Sequence, residues 1–419
     1  MIPRKELHTD VLVLGSGPAG FAAAYTAAKN GAKVILVEQG GDVGGISTSG
    51  LMSHWTGSCG SPLYWEILQR SADKNEGEHK GVITIFIDPE KLKTLYMEML
   101  CQAHVQLMLY TFAFDTICDG DKVLGATVLN KSGQTDIYAK VTIDATGDGD
   151  IAARAGAEFV LGRESDNKMQ PATLMFKVGG VDYSRAVFLG AFEDTYETEK
   201  GELQALGRQH IPYPAGHVLT MRTTLPGIVT CNMTNVLDID GTNAEDLTRA
   251  TLTCRQQMDD IVRFLREFVP GYENCFLVSS ASLIGIRETR HFKGKYTITK
   301  EDIWQAKVFD DYVVKDAYFN FDVHNITGAG LDKTGVQYEF TQKKGYTIPY
   351  GCLLPVKTEN LLLCGRNISG THMAHSNFRA MPICVGTGEA AGAAAAIAVR
   401  QNCAPSEVKP EEIRKIIGV

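Results

Sequence analysis

Four short groups of residues have the types and spacing for proton and hydride chemistry. The run Gly370-Thr371-His372-Met373-Ala374-His375-Ser376-Asn377-Phe378-Arg379 places two imidazoles and a guanidinium in one glycine-led loop. Imidazoles titrate near neutral pH and move protons, and a guanidinium holds an oxyanion through paired N–H groups. His372, His375 and Arg379 are therefore candidates for a reaction site, with nothing in the spacing to choose between the two histidines. The competing reading makes both histidines surface or core residues. The second group is Arg287, Glu288 and Arg290, with His291 adjacent. Its arginines could clamp an oxyanion or could serve an ion-pair network. The third is His54 with Trp55, a proton carrier beside a ring that could stack, or a packed loop. The fourth is Tyr346 and Tyr350, which flank Pro349 and offer phenolic acids or simple packing.

A binding motif stands near the start. Gly15-Ser16-Gly17-Pro18-Ala19-Gly20 follows an apolar run and opens an alanine-rich one. Gly15 permits a tight turn, Gly17 admits a pyrophosphate, and Gly20 allows a helix to pack on a strand. Pro18 and Ala19 open that helix, whose free N–H groups and positive dipole end face the phosphates. Glu38, followed by Gln39, ends the next apolar run, where an acid reaches ribose hydroxyls. This much fits any dinucleotide. Three later segments narrow the choice: Gly40-Gly41-Asp42-Val43-Gly44-Gly45 just past the acid, Ala145-Thr146-Gly147-Asp148-Gly149-Asp150 after a returning strand, and Cys364-Gly365-Arg366 after a late one. A chain that returns to one nucleotide from its beginning, middle and end wraps a long ligand, and FAD is that ligand.

The elements that must position these groups can be read in outline. Residues 10–14 and 33–37 read as buried parallel strands on either side of a helix over 21–29. Residues 105–110 read as a third strand. Residues 114–118, 122–130 and 134–139 form a meander with turns at Asp119-Gly120 and Ser132-Gly133, and 140–144 and 360–364 return to the core. Residues 382–400 read as a long Ala/Gly-rich helix with Pro382 in its first turn. Its glycines, Gly386, Gly388 and Gly392, mimic a nucleotide loop but have no strand before them, so they are expected to allow close helix packing. Between about 175 and 350 the pattern changes and no second nucleotide motif follows. The expected organisation is a discontinuous FAD-binding domain, 1–175 and 350–419, with a substrate or cap domain, 176–349, inserted into it.

Composition bounds the rest. The 419 residues are 44% hydrophobic and 21% charged, ordinary for a globular chain, and the net charge of −8 disfavours nucleic acid and anionic membranes. The N-terminal residues show no apolar leader. The most apolar stretch, 390–399, is too short to span a bilayer. Ten cysteines are scattered without a Cys-x-x-Cys pair, so reduced thiols in a cytoplasmic protein are expected, with no metal site.

The run 40–57, the Ala-Thr-Gly-Asp-Gly-Asp segment, Gly285-Ile286-Arg287-Glu288-Thr289-Arg290 and the run 365–392 together resemble the FAD-dependent oxidoreductase family. That family is distantly similar to the fumarate reductase/succinate dehydrogenase flavoproteins. The resemblance covers nearly the whole chain and is weakest over 180–275. It implies an α/β fold: a glutathione-reductase-type FAD-binding Rossmann fold with an inserted α+β substrate/cap domain. It also implies that Gly45, Ile46, Ser47 and Thr48 line the flavin and pyrophosphate, that Ala113 meets the adenine, and that Ala145, Thr146 and Gly147 pass the adenosine and phosphates. Gly365 and Arg366 stand where relatives place Gly-Asp or Gly-Glu against the ribityl chain, so the Arg366 side chain departs from the pattern. Met381, Pro382 and Ile383 would aim a helix N-terminus at the flavin. In the fumarate-reductase-like relatives a His and an Arg of the 370–379 stretch bind substrate carboxylates. Relatives with covalent FAD carry a His where this chain has Gly44-Gly45-Ile46-Ser47, so non-covalent FAD is expected.

The function expected is hydride transfer between a small organic substrate and flavin N5. A separate electron donor or acceptor would complete the cycle, and a homo-oligomer is allowed. The alternatives are a non-catalytic or assembly subunit of a larger redox complex, or a flavin enzyme without net redox.

Overall fold

The computed structural model describes residues 3–52, 54–79, 82–190, 192, 194–333 and 339–419. Its main sheet has the strand order Gln106–Met108, Val34–Val37, Arg4–Leu14, Gly133–Asp144, Lys122–Asn130, Phe112–Asp119, and Leu361–Leu363 also pairs with Gly133–Asp144. The pairings among the first four strands and with Leu361–Leu363 are parallel, and the last two strands join antiparallel. This is a mixed α/β arrangement with a Rossmann-like nucleotide-binding fold.

Arg4–Leu14 shows why the sheet sits where it does. Val11, Leu12, Val13 and Leu14 are all fully buried. Successive side chains of a strand point to opposite faces. Val11 and Val13 accordingly join one core with the helix Pro18–Lys29, while Leu12 and Leu14 join another with Val37, Val128 and Ile151. A strand covered on both faces must be apolar at every position, as this one is over its last four residues.

The expected third meander strand and the core strand after it are one element, Gly133–Asp144. It pairs parallel with Arg4–Leu14 along nearly its whole length; its first half also pairs antiparallel with Lys122–Asn130, and its last three residues pair parallel with Leu361–Leu363. Alternating burial gives way to continuous burial at Val141, after the exposed Lys140, which looks like a break in sequence but is only a change of neighbours.

The apolar stretch expected over ten residues extends through the helix Met381–Gln401. This helix is long and apolar enough to cross a membrane by length and composition, but 94% of the qualifying window is buried inside the protein. It packs along Pro18–Lys29 at two close approaches. A Cβ at Gly388 would lie 2.1 Å from the Ala19 carbonyl oxygen, and one at Gly392 would lie 2.3 Å from that of Ala23. Only glycine lets the two backbones meet there.

A second core forms from residues 172–281 together with Leu51. Its sheet is antiparallel, in the order Thr220–Arg222, Val229–Cys231, Phe176–Gly179, Phe276–Ser280. The helix Ala244–Phe268 lays Cys254, Met258, Ile261 and Leu265 against it, at spacings of four, three and four that repeat on one face. Asn243 caps this helix by accepting from the Glu245 and Asp246 N–H groups, and those two acids suit the positive dipole end. The packing changes near 172 and again near 290. Phe292, Ile298, Val313, Phe321 and Ile348 belong to the first core although they precede residue 350.

Candidate active site

One cavity of about 550 Å³ runs between the two cores. Its size falls within the usual range of about 300–1,000 Å³ for ligand sites. The glycine loop forms part of its wall. Gly15 has φ +91°, and a Cβ there would lie 2.5 Å from the Ala145 carbonyl oxygen. A Cβ at Gly20 would lie 1.9 Å from the Gly15 oxygen. Gly17 differs: an added Cβ would meet no protein atom within 4 Å and would enter the cavity. Pro18 and Ala19 open the helix beside it, and both line the cavity.

Glu38 and Gln39 line it too. One Glu38 carboxylate oxygen accepts from the Ser16 N–H and hydroxyl at 3.0 and 2.6 Å, and the other from the Gly40 N–H at 2.7 Å. The acid is thus already oriented by the loop it serves. Gly45 and Ile46 line the cavity, whereas the Ser47 and Thr48 hydroxyls turn back to the Gly44 and Val43 carbonyls. Ala113 lines it beside Phe112 and Arg154.

Ala145, Thr146 and Gly147 form another wall, on a turn braced by the buried Asp144. That carboxylate accepts from the Thr146 N–H and hydroxyl and from the Ala152 N–H; burial nevertheless raises its pKa. Gly365 and Arg366 face this turn. Arg366 Nη2 meets Asp148 Oδ1 at 2.9 Å, while its Nη1 is buried without a protein partner.

The N-terminus of Met381–Gln401 reaches the same cavity through Ala380, Met381 and Cys384, and no side chain caps it. Pro382 and Ile383 are buried in the packing behind. Burial pushes the Cys384 thiol up to about 12, which keeps it protonated.

The charged part of the cavity is built by four residues from three distant segments: Arg287, Asp322, His324 and Arg379. Arg379 Nη2 donates to the Asp322 carboxylate at 2.6 Å and to its carbonyl at 2.8 Å, and Arg379 Nε is buried with no partner. Arg287 Nη1 donates to the Pro171 carbonyl and, at 3.0 Å, to the Thr173 hydroxyl. Burial, reinforced by the like charge of Arg379, brings the Arg287 guanidinium down to about 10, so it remains a cation at neutral pH. Burial opposes ionisation of Asp322, but His324, Arg379 and Arg287 more than offset it and hold the carboxyl well below its usual range. His324 Nε2 lies 3.4 Å from Asp322. Burial first, then Arg287, pulls this imidazole down to about 3, so it is neutral. Two guanidinium groups, one carboxylate and a neutral imidazole leave a net charge of +1 in a partly dry site.

The other sequence candidates lie elsewhere. His372 and His375 are buried on the short helix His372–Phe378, away from the cavity lining. His372 Nδ1 meets Glu288 at 2.5 Å, and His291 Nε2 meets the same oxygen at 2.7 Å. Arg290 binds the Asp148 carbonyl and the Asp150 carboxylate at 2.8 and 2.9 Å, bracing the turn after Gly147. His54 is buried in the strand His54–Thr56, and burial lowers it to about 4. That segment meets the cavity through Met52 and Thr56 instead. The Tyr346 hydroxyl bonds Asn377 and that of Tyr350 bonds the Pro405 carbonyl, both in packed surroundings.

Asp322 and His324 went unread in the sequence. They stand two apart in a segment outside the regular elements, where His324 makes an isolated bridge to Leu331, and no motif marks them.

A nucleotide-binding fold, a glycine loop open to one long cavity, and a cationic end beside an uncapped helix define a flavoprotein oxidoreductase. The sequence matches the FAD dependent oxidoreductase family over residues 10–417, and the chain belongs to that family. FAD is therefore its cofactor. Among curated relatives, the digeranylgeranylglycerophospholipid reductase of Picrophilus torridus is 28% identical over 34% of this chain and 40% of its own length. That of Methanothrix thermoacetophila is 29% identical over 44% of this chain and 51% of its own. These matches thus span about half or less of either relative. Among solved structures, a geranylgeranyl bacteriochlorophyll reductase-like protein from Thermoplasma acidophilum covers 98% of this chain and 82% of its own, with TM-score 0.54 and 14% identity. The p-nitrophenol 4-monooxygenase of Pseudomonas putida aligns with TM-score 0.52 and 11% identity, over 99% and 86% of the two chains. At these identities the likeness concerns the fold.

Proposed function

We propose that this enzyme transfers a hydride between flavin N5 and a carbon of a small organic anion, with FAD held non-covalently. The observation that carries the reading is the cluster Arg287, Arg379, Asp322 and His324, which shares one cavity with the glycine loop and the uncapped N-terminus of Met381–Gln401. The residues fit the cofactor: Gly17 leaves open space where a pyrophosphate would lie, and Arg366 carries a buried, unpartnered Nη1 beside it. Glu38 would hold the ribose and Ala113 the adenine, with Ala145, Thr146, Gly147 and Gly365 along the phosphates. Gly45, Ile46 and Met381 would border the ring system, and the helix N-terminus would favour negative charge there.

Bound FAD supplies the two-electron acceptor or donor. Arg379 and Arg287 hold the substrate's oxyanion and orient the reacting carbon. His324 takes the hydroxyl or amine proton as the hydride departs, or returns it in the reverse direction. Asp322 fixes both Arg379 and His324. An incoming anion offsets the cationic field of the two arginines, which raises the basicity of His324 when the substrate is in place. Residues of the second core, from Thr173 to the 283–287 loop, cover the site as a substrate cap. A separate electron partner regenerates the flavin, since no second nucleotide motif follows the first.

The test is an anaerobic screen of small carboxylic acids, hydroxy acids and their oxo counterparts, following flavin bleaching or reoxidation. Acid treatment of the protein should release free FAD. Turnover of neutral substrates only would reject the anion reading, and flavin that stays with the precipitate would reject non-covalent binding.

A further inference from the structure

The wall that the second core and its 283–287 loop turn to the cavity differs from the charged end it adjoins. Its side chains are mostly hydrocarbon: Met175, Leu247, Leu283, Ile284 and Ile286. Among the described residues of that wall, Arg287 is the only charged one. Two of its polar side chains are already engaged. The Thr173 hydroxyl donates to the Thr234 carbonyl and accepts from Arg287, and the Thr242 hydroxyl donates to Asp240. The Asn232 amide has no hydrogen-bond partner among the described residues and opens on the cavity. Met175 and Asn232 come next in the antiparallel register after Phe176 with Cys231. Thr173, which holds Arg287, stands two residues further along that strand, about 7 Å away. One unengaged polar group therefore lies near the anion-holding guanidinium, and apolar surface surrounds it.

Charge sets a second limit. Arg287 and Arg379 against Asp322, with His324 neutral, give +1. A monoanion brings this end of the cavity to neutrality, whereas a dicarboxylate would bring it to −1 and bury its second charge against hydrocarbon, which is costly. The remaining charged residues of the lining, Glu38, Asp148, Asp150, Arg154 and Arg366, lie along the nucleotide motifs instead. A polyhydroxylated acid fits no better. Its hydroxyls need acceptors, and the one carboxylate at this end, Asp322, is taken up by Arg379.

Given the role proposed above for Arg287 and Arg379, on which this rests, we infer that the substrate is a monocarboxylate with a single hydroxyl or oxo group beside the carboxylate and a hydrocarbon body beyond it. The two arginines hold the carboxylate, Asn232 meets the hydroxyl or oxo oxygen, and Met175, Leu247, Leu283, Ile284 and Ile286 cover the body. Oxidation of the alcohol sends its C–H hydride to flavin N5 and its hydroxyl proton to His324, leaving the 2-oxo acid. Dicarboxylic acids, sugar acids and short hydroxy acids are excluded as preferred substrates.

The test is an anaerobic titration of FAD-loaded wild-type protein with 2-hydroxy-4-methylpentanoate, lactate, malate, gluconate and the neutral 4-methyl-2-pentanol. Affinity is read from the perturbation of flavin absorbance or, where bleaching follows, from the concentration giving half its maximal rate. Substrate and product sides both bind, so the outcome does not depend on the direction in which the enzyme runs. Replacing the methyl group of lactate by isobutyl should tighten binding about 50-fold, at roughly fourfold per buried carbon. Malate and gluconate should bind no better than lactate. Leu283→Asn should cut the preference for 2-hydroxy-4-methylpentanoate over lactate about tenfold and leave lactate itself little changed; should that variant fail to fold, the wild-type series decides. Malate or gluconate as the tightest ligand, or lactate within about fivefold of 2-hydroxy-4-methylpentanoate, would overturn the hydrocarbon body and leave the anion reading standing. An undiminished preference in folded Leu283→Asn would overturn the assignment of this wall. The neutral alcohol binding as tightly as its acid counterpart, or no response to any of the five, would overturn the role of the arginines and this inference with it.

Discussion

The stretch of the cavity along the glycine loop and its charged end are made by different means. The first is built from backbone: Gly15, Gly20 and Gly147 fit because no Cβ is present, and their collisions would be with Ala145, with Gly15 itself and with Arg366. The second is built from side chains delivered by segments far apart in the chain, Arg287, Asp322 with His324, and Arg379. Backbone recognition tolerates almost no substitution but asks little of side-chain chemistry. Side-chain recognition folds readily after substitution but loses its charge balance. The two regions should therefore fail in different ways when altered.

The largest expected effect separates two glycines of one loop. Gly17→Val should fold normally, since its side chain meets no protein atom, yet weaken FAD by about 100-fold or more, roughly 3 kcal/mol. Gly20→Val should instead unfold or destabilise the protein, because its Cβ meets backbone. Circular dichroism and melting of the FAD-free forms, beside flavin content after reconstitution, distinguish the two. A Gly17→Val protein with full flavin content would dissolve the contrast.

At the other end, Arg379→Ala should keep FAD and fold while kcat/KM falls by about 10²–10³. Steady-state kinetics at matched flavin occupancy check this, once the anion screen has found a substrate. Near-normal turnover would shift the oxyanion site to Arg287.

A smaller loss is expected from His324→Gln, which keeps a hydrogen-bonding side chain but removes the proton carrier. Turnover should drop by about 10²-fold with KM little changed. An increase in KM alone would make His324 a binding group.

A further effect lies in the cofactor half, and it is one of stability alone. Burial raises the carboxyl of Glu389, on the helix Met381–Gln401, to about 7. The folded state therefore prefers the protonated form more than the unfolded chain does. The associated stability is full below the ordinary carboxyl pKa and is lost as pH rises through about 7, with a ceiling of about 3 kcal/mol. Glu389→Gln should remove this dependence and melt a few degrees higher than wild type near pH 8, with little difference near pH 5. Parallel melting curves for the two proteins across that range would contradict it.

The same division explains what was legible beforehand. The glycine loop, Glu38 and the Ala145 turn could be read because backbone geometry demands glycine at fixed offsets and a strand on either side. The strand Gly133–Asp144 reads as two because Lys140 interrupts its apolar pattern, although the chain keeps Arg4–Leu14 on one side and exchanges only Lys122–Asn130 for Leu361–Leu363 on the other. The charged end was legible in part. Arg287 and Arg379 stood out as arginines in polar, glycine-flanked runs. Their neighbours His372 and His375 stood out equally, yet the short helix they occupy turns them toward Glu288. Asp322 and His324 were hidden because what makes them a pair with Arg379 is a contact across 57 residues, which no local spacing encodes.

The close fit of Met381–Gln401 against Pro18–Lys29 also sets an order of events during synthesis. The alanine-rich helix near the start leaves the ribosome early, but the partner whose Gly388 and Gly392 cover it is made more than 350 residues later. At elongation rates of about 5–20 residues per second, that interval lasts tens of seconds. Throughout it the nascent glycine-loop unit has an uncovered apolar flank, the kind of surface that chaperones hold. A ribosome stalled ahead of residue 381 should therefore display a chain that captures no FAD, however complete its nucleotide motif.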